Sequence, residues 1–220
     1  MSKREKILTF LSRRIDKALE ELKKKEDEKR KITQLGDEII KASREVVSFI
    51  HRRDLKLASE EIVKLKKKVK IFHQLTYDSK LTDWGYVIQV YQEFFESLVL
   101  FSLIVGDMKN VVKETNLIPS LSLLLGLSDL IGELRREVIS NLIDQKVEEA
   151  KELLDVMQEI YNNIQKTPLT ESVAPGLRRK IDVNRITIEA SISDLYQEIR
   201  SLRLQKKLDD FYNASKTTKN

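Results

Sequence analysis

Apolar residues recur three and four positions apart along almost the whole chain, which is the spacing of one face of an α-helix. No stretch shows the two-residue alternation that indicates a half-buried strand. The pattern therefore predicts an all-α protein. The predicted helices cover residues 3–33, 39–53, 54–75, 84–105, 107–114, 120–143, 146–164 and the stretch from 177 onward.

The first predicted helix carries a narrow apolar stripe and is otherwise densely charged. The stripe consists of Ile7, Leu8, Leu11, Ile15, Ala18 and Leu22. From Leu22 to Lys31 charged residues dominate, a pattern usual for a solvated helix face and also suited to a basic rim for a polyanion. Gly36 is expected to interrupt the helix, because glycine is unfavourable in helix interiors.

The breaks between the predicted helices do not divide the chain into separate domains. The one extended loop, from Gln165 to Gly176, holds two of the three prolines. We assign residues 1–212 to one domain and 213–220 to a polar, frayed tail, since no repeat or linker divides the chain. Helix starts are expected at Asp54, at Thr82–Asp83 and after Pro119, because these residue types cap or open helices.

Two predicted helices carry pairs of acids within otherwise apolar sequence. Glu93 and Glu96 are three residues apart, and Asp129 and Glu133 are four apart, so each pair shares a helix face. The helix over 84–105 is apolar on two sides, which is typical of a helix buried on both. Small residues such as Gly126 accompany the second pair and would allow a neighbouring helix to approach closely.

The composition of the 220-residue chain fits long helices in a reducing compartment. It has 41% hydrophobic and 34% charged residues, but only 6 Gly and 3 Pro. Because it has no Cys, it cannot form disulfides or thiolate metal sites. The net charge of +5 permits a polyanionic partner without requiring one. No uniformly apolar run approaches 20 residues and no signal peptide follows Met1, so we expect a cytoplasmic protein without a membrane partner.

Spacing alone leaves two interpretations of the four acids open. They are either ordinary polar residues on helices, or oxygen ligands of a hard divalent cation such as Mg²⁺ or Mn²⁺. A cation held between two helices can activate water for attack on a phosphodiester. His51 and His73 lie outside both acidic pairs, which argues against a di-iron site of the Glu-x-x-His type. We expect His51 to serve a helix end and His73 to have a surface or packing role.

Four ordered segments resemble the translin superfamily, in its branch of translin-associated factor X. Residues 123–136 are similar to that branch's YLLGVADLTGELMR segment, and residues 91–98 to its LQEYVEAV segment. Residues 43–52 resemble its SKRTIFLLHR segment. Near the C-terminus, residues 177–182, with Tyr196 further on, resemble the LRKRYD segment of translin itself.

The resemblance implies a seven-helix translin-like bundle that assembles into a hollow, octamer-like barrel, with metal-dependent endoribonuclease activity on single-stranded RNA. The catalytic and metal-binding acids of the branch correspond to Glu93, Glu96, Asp129 and Glu133, and its RNA-contacting basic positions correspond to Arg44 and Arg136. Translin proper has Arg and Val at the first two acidic positions, so the chain resembles the catalytic branch.

Departures from the family keep a second interpretation open. The basic and aromatic patch that precedes the first acidic pair in translin is replaced here by Tyr86, Val87 and Gln89. The loop that the eukaryotic branch inserts between its catalytic helices is absent. The alternative function is a non-catalytic oligomer that binds single-stranded RNA or DNA. In either case we expect a homo-oligomer, with the octamer as the first expectation. A translin-like second subunit is a further expected partner.

Overall fold

The computed structural model describes residues 2–166 and 168–217, apart from the side chains of residue 110 and of residues 214–217. Within this part of the chain there are seven helices and no strand, which confirms the all-α, seven-helix prediction. The helices are α1 (Lys3–His51), α2 (Leu55–Asp78), α3 (Gly85–Val105), α4 (Lys109–Thr115), α5 (Ser120–Ile143), α6 (Val147–Gln165) and α7 (Leu177–Thr217).

The pair formed by α3 and α5 is the centre of the bundle. α3 packs against both α1 and α5, while α5 also packs against α6 and α7. The side chains that fill this centre are fully buried: Val90, Phe94, Leu98, Leu130, Leu134 and Val138. Their removal from water is the main stabilising term. The bundle therefore has α1 and α2 flanking α3, and α6 and α7 flanking α5.

α1 runs without a break through Gly36, so the predicted interruption is wrong. A Cβ atom built on Gly36 would lie 2.5 Å from the hydroxyl oxygen of Tyr86 and 2.7 Å from its Cε1 atom. The Tyr86 hydroxyl lies 2.8 Å from the Thr33 carbonyl oxygen and 2.7 Å from Asp37 Oδ1. Glycine leaves room here for the Tyr86 ring, whose hydroxyl is held by these two contacts, and tertiary packing outweighs its low helix propensity.

The predicted caps are less accurate than the helices themselves. Asp54 precedes α2, but its side chain makes no capping hydrogen bond. α3 begins at Gly85, so that Thr82–Asp83 lies upstream of its N-cap residue Trp84. Pro119 directly precedes α5, as its fixed backbone angle predicts. Local capping chemistry is thus not what sets the starts of α2 and α3.

The C-terminal helix extends further than the sequence pattern indicates. α7 continues to Thr217, into the stretch 213–220 that is predicted as a polar tail. The last three residues of that stretch lie outside the described residues. The apolar seam of α7 packs on α5 and α6 through partly or fully buried side chains that include Leu177, Ile188 and Leu195.

α3 is long and apolar enough to cross a lipid bilayer when judged by length and composition alone. Over half of its most apolar window, 56%, is buried inside the bundle. A helix buried on two sides by neighbouring helices has this composition in a bundle core. The apolar character of α3 is therefore accounted for by its contacts with α1, α2 and α5.

Three glycines test how closely the helices must approach. A Cβ atom on Gly126 would lie 2.9 Å from the backbone oxygen of Gln92, whereas one on Gly132 meets nothing within 4 Å. We expect Gly36→Ala and Gly126→Ala to lower the free energy of unfolding by about 1–3 kcal/mol through overpacking. Gly132→Ala should raise it by about 0.5–1 kcal/mol through helix propensity.

Urea unfolding followed by circular dichroism at 222 nm measures all three variants on one scale. A rise in stability for all three would show that the α1–α3 and α3–α5 contacts are looser than the structure has them.

Candidate functional site

A cavity of about 780 Å³ lies between α1, α3 and α5. All six residues that the sequence singled out line it, which brings together side chains up to 92 positions apart. The lining includes Ser43, Arg44, Ser48, His51, Arg52, Glu93, Glu96, Asp129, Glu133 and Arg136. The two acidic pairs therefore face each other, and their roles as catalytic or metal-binding groups remain predictions.

Glu93 is held by an arginine from α1. Arg44 donates from Nε to Glu93 Oε2 (3.2 Å) and from Nη2 to Glu93 Oε1 (3.0 Å), a two-point contact across helices. The hydrogen bonds and the charge of Glu93 raise the pKa of Arg44. The Arg44 side chain is 65% exposed while the Glu93 side chain is 19% exposed, so Arg44 lies at the mouth of the cavity and Glu93 further inside.

Asp129 is held from two sides. The amide group of Gln92 on α3 donates to one of its oxygens, and the ammonium group of Lys180 on α7 donates to the other. The first contact depends on the close approach at Gly126, one turn before Asp129, where only a glycine fits against the Gln92 backbone. The prediction that a small residue beside the acids allows close helix packing is confirmed here.

His51 ends α1, as expected, and it also lines the cavity, which corrects the expectation that it stands apart from the acids. Its Nε2 atom lies 2.5 Å from Glu133 Oε2, and its Nδ1 atom lies 2.7 Å from Glu137 Oε1. Hydrogen bonds with Glu133 and Glu137 raise the pKa of His51 to about 9, so at neutral pH the ring is an imidazolium that donates to both.

The carboxylates around His51 are stabilised in their charged form. The hydrogen bond from His51 lowers the pKa of Glu133, and Arg136 adds an ion pair at 3.2 Å. Burial by itself would raise the pKa of Glu137, but hydrogen bonds from His51 and Arg53 lower it. The Arg53 contact is 2.5 Å, and the Glu137 side chain is only 2% exposed. Glu137 therefore anchors the ring that orients Glu133.

Glu96 is the exception among the four acids, because its carboxyl makes no hydrogen bond or ion pair within the described residues. Burial, followed by the negative charges of Asp129, Glu133 and Glu93, raises the pKa of Glu96 to about 8. Like charges this close disfavour a fourth ionised carboxylate. At neutral pH Glu96 is therefore protonated in the absence of another cation.

The donor set fits a hard divalent cation in its chemistry. Four carboxylates supply oxygen ligands, which suit Mg²⁺ and Mn²⁺, and neighbouring side chains orient three of them by hydrogen bonds. Across the described residues, no three Asp, Glu or His side chains are already gathered around one point. Glu93, Asp129 and Glu133 are instead turned toward cationic side chains of the protein.

Sequence reasoning missed the residues that partner the acids. His51 and Lys180 both lie in segments that resemble the family, 43–52 and 177–182, and this is the signal that could have drawn attention to them. Gln92 lies in a third such segment, 91–98. Glu137 carries no such signal, because an ordinary polar residue on a helix looks the same in sequence. His73 lies outside the cavity and contacts Tyr91 at 3.1 Å, which agrees with a packing role.

The fold and the cavity together define a helical-bundle protein with an acidic site between its central helices. The Translin family pattern matches residues 3–191, which is most of the chain. The chain therefore belongs to the Translin family. The match begins well before residue 43, where the resemblance by separate segments starts.

Individual proteins resemble the chain in sequence or in fold. The chain is 29% identical over 180 residues to the uncharacterised protein MJ0175 of Methanocaldococcus jannaschii, covering 78% of this chain and 80% of that protein. The fold of this chain matches the crystal structure of AfC3PO with a TM-score of 0.75 at 22% identity, over 86% of this chain and 98% of the AfC3PO chain.

Two further structures share the fold. The complex of AfC3PO with duplex RNA matches with a TM-score of 0.70 at 23% identity, over 86% of this chain and 97% of that one. The crystal structure of apo-NeC3PO matches with a TM-score of 0.72 at 22% identity, over 84% and 96%. At these identities the comparisons establish the fold.

The raised pKa of Glu96 predicts a pH dependence of stability. Between pH 4.5 and about 8 the unfolded chain has released the Glu96 proton while the folded chain retains it, so folding binds a proton and stability falls as pH rises. Glu96→Gln removes this loss. In buffer with EDTA, the free energy of unfolding of the variant should rise relative to that of the parent by about 2–4 kcal/mol between pH 4.5 and 8. This is less than the full pKa shift corresponds to, because Glu96 is partly exposed.

Urea unfolding at half-unit pH intervals gives the difference directly. A difference that is the same at pH 5 and pH 8 would show that Glu96 ionises normally.

Proposed function

We propose that this protein is a divalent-metal-dependent endoribonuclease of the type found in the translin-associated factor X branch, acting on single-stranded RNA. The observation that carries the proposal is the convergence of four carboxylates from α3 and α5 in one cavity. Burial, together with the charges of the other three, keeps Glu96 protonated. A divalent cation would relieve this repulsion, which explains why an acidic cluster of this kind is maintained in a bundle centre.

Glu93, Glu96, Asp129 and Glu133 are the residues that would hold Mg²⁺ or Mn²⁺. When bound, such an ion supplies a water of lowered pKa and neutralises charge on a phosphodiester. The chain's own contribution is orientation: Lys180 and Gln92 fix Asp129, and the His51 imidazolium fixes Glu133. Outer partners of this kind set the position and basicity of ligating groups.

The mouth of the cavity is suited to a phosphate backbone. Arg44 and Arg136 are both more than 60% exposed, and Arg52 also lines the opening. Guanidinium groups bind phosphate oxygens in a forked geometry that ammonium groups cannot match. Arg44 and Arg136 now pair with Glu93 and Glu133, so a phosphate must compete with those carboxylates unless another cation occupies them.

RNA as the substrate class rests on the family and on the site. AfC3PO, whose fold this chain shares, has a structure in complex with duplex RNA. A cavity that opens between helices and is rimmed by arginines accepts an unpaired strand more readily than a rigid duplex. We therefore propose single-stranded RNA as the preferred form, and duplex RNA is the comparison substrate in the assays below.

A second candidate is a non-catalytic oligomer that binds single-stranded RNA or DNA. The observation that favours it is the pairing of Glu93, Asp129 and Glu133 with cations of the protein itself. Such pairs compensate the charges of the carboxylates without any metal. The two candidates differ in whether the acids contribute to cleavage or only to the fold.

Neutral variants of the four acids separate these candidates. Glu93→Gln, Glu96→Gln, Asp129→Asn and Glu133→Gln should each reduce cleavage of labelled single-stranded RNA in Mn²⁺ at least about a hundredfold, because a ligand set acts as a unit. Binding of Mn²⁺ measured by calorimetry should weaken in parallel. Binding of RNA should persist or tighten, since negative charge near the phosphate is removed.

Glu114→Gln is the matched control, because Glu114 is 2% exposed and lies outside the cavity. It should cleave like the parent, and the parent should be inactive in EDTA. If all four variants cut both single-stranded and duplex RNA at the parental rate, the acids are structural and the enzymatic proposal fails. Unfolding of every variant would assign the acids to core pairing instead.

Phosphate contacts should depend on the cavity arginines more than on the lysine-rich surface of α2. Arg136→Ala and Arg44→Ala should each weaken RNA binding or cleavage by the equivalent of about 1–3 kcal/mol, the range for hydrogen bonds to charged groups. Lys67→Ala, an exposed lysine on α2, should have a smaller effect that salt abolishes. Fluorescence anisotropy at two salt concentrations measures this. An effect of Lys67→Ala exceeding that of Arg136→Ala would place the RNA elsewhere.

A further inference from the structure

The first part of α1 presents an apolar stripe to solvent. Every described residue from Ser2 to Glu26 is exposed, although this stretch is regular helix from Lys3. Large apolar side chains on one side of it are 48–62% exposed: Leu8, Leu11, Ile15, Leu19 and Leu22. At 1.5 Å per residue, this stretch extends about 36 Å.

The stripe has coiled-coil spacing and continues a face that is buried further along the helix. Leu8, Leu11, Ile15, Ala18 and Leu22 follow one another at intervals of three and four residues, the a and d positions of a heptad repeat. The same register leads into buried residues of α1 that pack in the bundle, namely Ile32, Gly36, Ile39, Ser43, Val46 and Ile50. The exposed stripe is thus an extension of a packing face.

No described helix of the same chain covers this extension. α2 runs back along α1, with Lys68 paired to Glu38, and ends at Asp78. The start of α3 reaches α1 only as far as Lys29, whose ammonium lies 4.8 Å from the centre of the Trp84 ring. A face of this length and spacing is stabilised when another helix packs on it.

Charge along the extension is segregated in a way that selects a partner. Between Lys3 and Lys17 there are six basic and two acidic residues, a net charge of +4. Between Ala18 and Glu26, where the exposed stretch ends, there are three basic and three acidic residues, so this half has no net charge. A second copy in antiparallel orientation would place the basic half against the neutral half, whereas a parallel copy would place two halves of charge +4 against each other.

We propose that this extension of α1 pairs with the α1 extension of a second copy of the chain as an antiparallel coiled coil. In the heptad register, Leu11 packs opposite the partner's Leu22, and Ile15 packs opposite the partner's Ala18, a large residue against a small one. Arg14 lies beside the partner's Glu21, once on each side of the twofold axis. The inference concerns assembly and does not rest on RNA cleavage.

Light scattering, which measures particle mass, tests whether the exposed stripe of α1 holds two copies together. Leu11→Asp/Ile15→Asp places charge in the seam and should at least halve the particle mass, with helix content unchanged because the stretch contacts no other described element. Thr9→Asp/Phe10→Asp is the matched control, since it adds the same charge beside the stripe, and it should keep the parental mass. The proposal is overturned if the seam variant keeps the parental mass or if the parent is monomeric at micromolar concentration.

Disulfide trapping tests the orientation on a background without native cysteine. Leu8→Cys and Lys25→Cys chains, co-expressed with different tags, should form a mixed disulfide, because positions 8 and 25 face each other in the antiparallel register. Leu8→Cys alone should form none, since the two copies of residue 8 would be about 25 Å apart. A disulfide between two Leu8→Cys chains would show parallel pairing and overturn the proposal.

RNA cleavage in Mn²⁺ is measured on the same variants, so that the two ideas are judged separately. If Leu11→Asp/Ile15→Asp forms smaller particles and still cleaves RNA, the pairing through α1 is supported and the cleavage site is unaffected. A parent that assembles through α1 and never cleaves supports the surface while contradicting the proposed function.

Discussion

The structure depends on the close contact of α3 and α5, which places four carboxylates around one cavity. Only a glycine at position 126 lets the Gln92 backbone approach so near. Like charges held at this distance would force the helices apart if all were ionised and unpaired. The bundle resolves the conflict in two ways: it surrounds three carboxylates with cations, and it keeps Glu96 protonated.

The cations come from three different helices, which ties the outer helices to the centre. Arg44 and His51 belong to α1, Lys180 to α7 and Arg136 to α5 itself. The exposed pairs contribute little to stability because water screens them. The contact of His51 with the nearly buried Glu137 is different, since removing His51 would leave this buried carboxylate with Arg53 as its one remaining cation in the described part of the chain. The site and the fold are therefore supported by the same contacts.

The two halves of the long α1 helix differ in their contacts. Its second half is covered by α2 and α3 and contributes Arg44 and His51 to the cavity, while its first half extends into solvent with an apolar stripe. A helix this exposed keeps its regular structure without packing in the same chain, which local capping by Ser2 and Glu5 supports. One element thus links the acidic site to a surface suited to assembly.

Most helices and both acidic pairs can be predicted from the sequence alone, because apolar spacing depends only on local geometry and each acidic pair lies within a single helix. Gly126 also indicates in the sequence that two helices approach closely. The remaining features depend on tertiary contacts. Gly36 looks like a break until the ring of Tyr86 is placed against it, and His51 looks remote until 82 residues of chain fold back to bring Glu133 to its ring. Contacts between residues far apart in sequence carry no local signal, so the pairing of the acids with their partners is visible only in the tertiary structure.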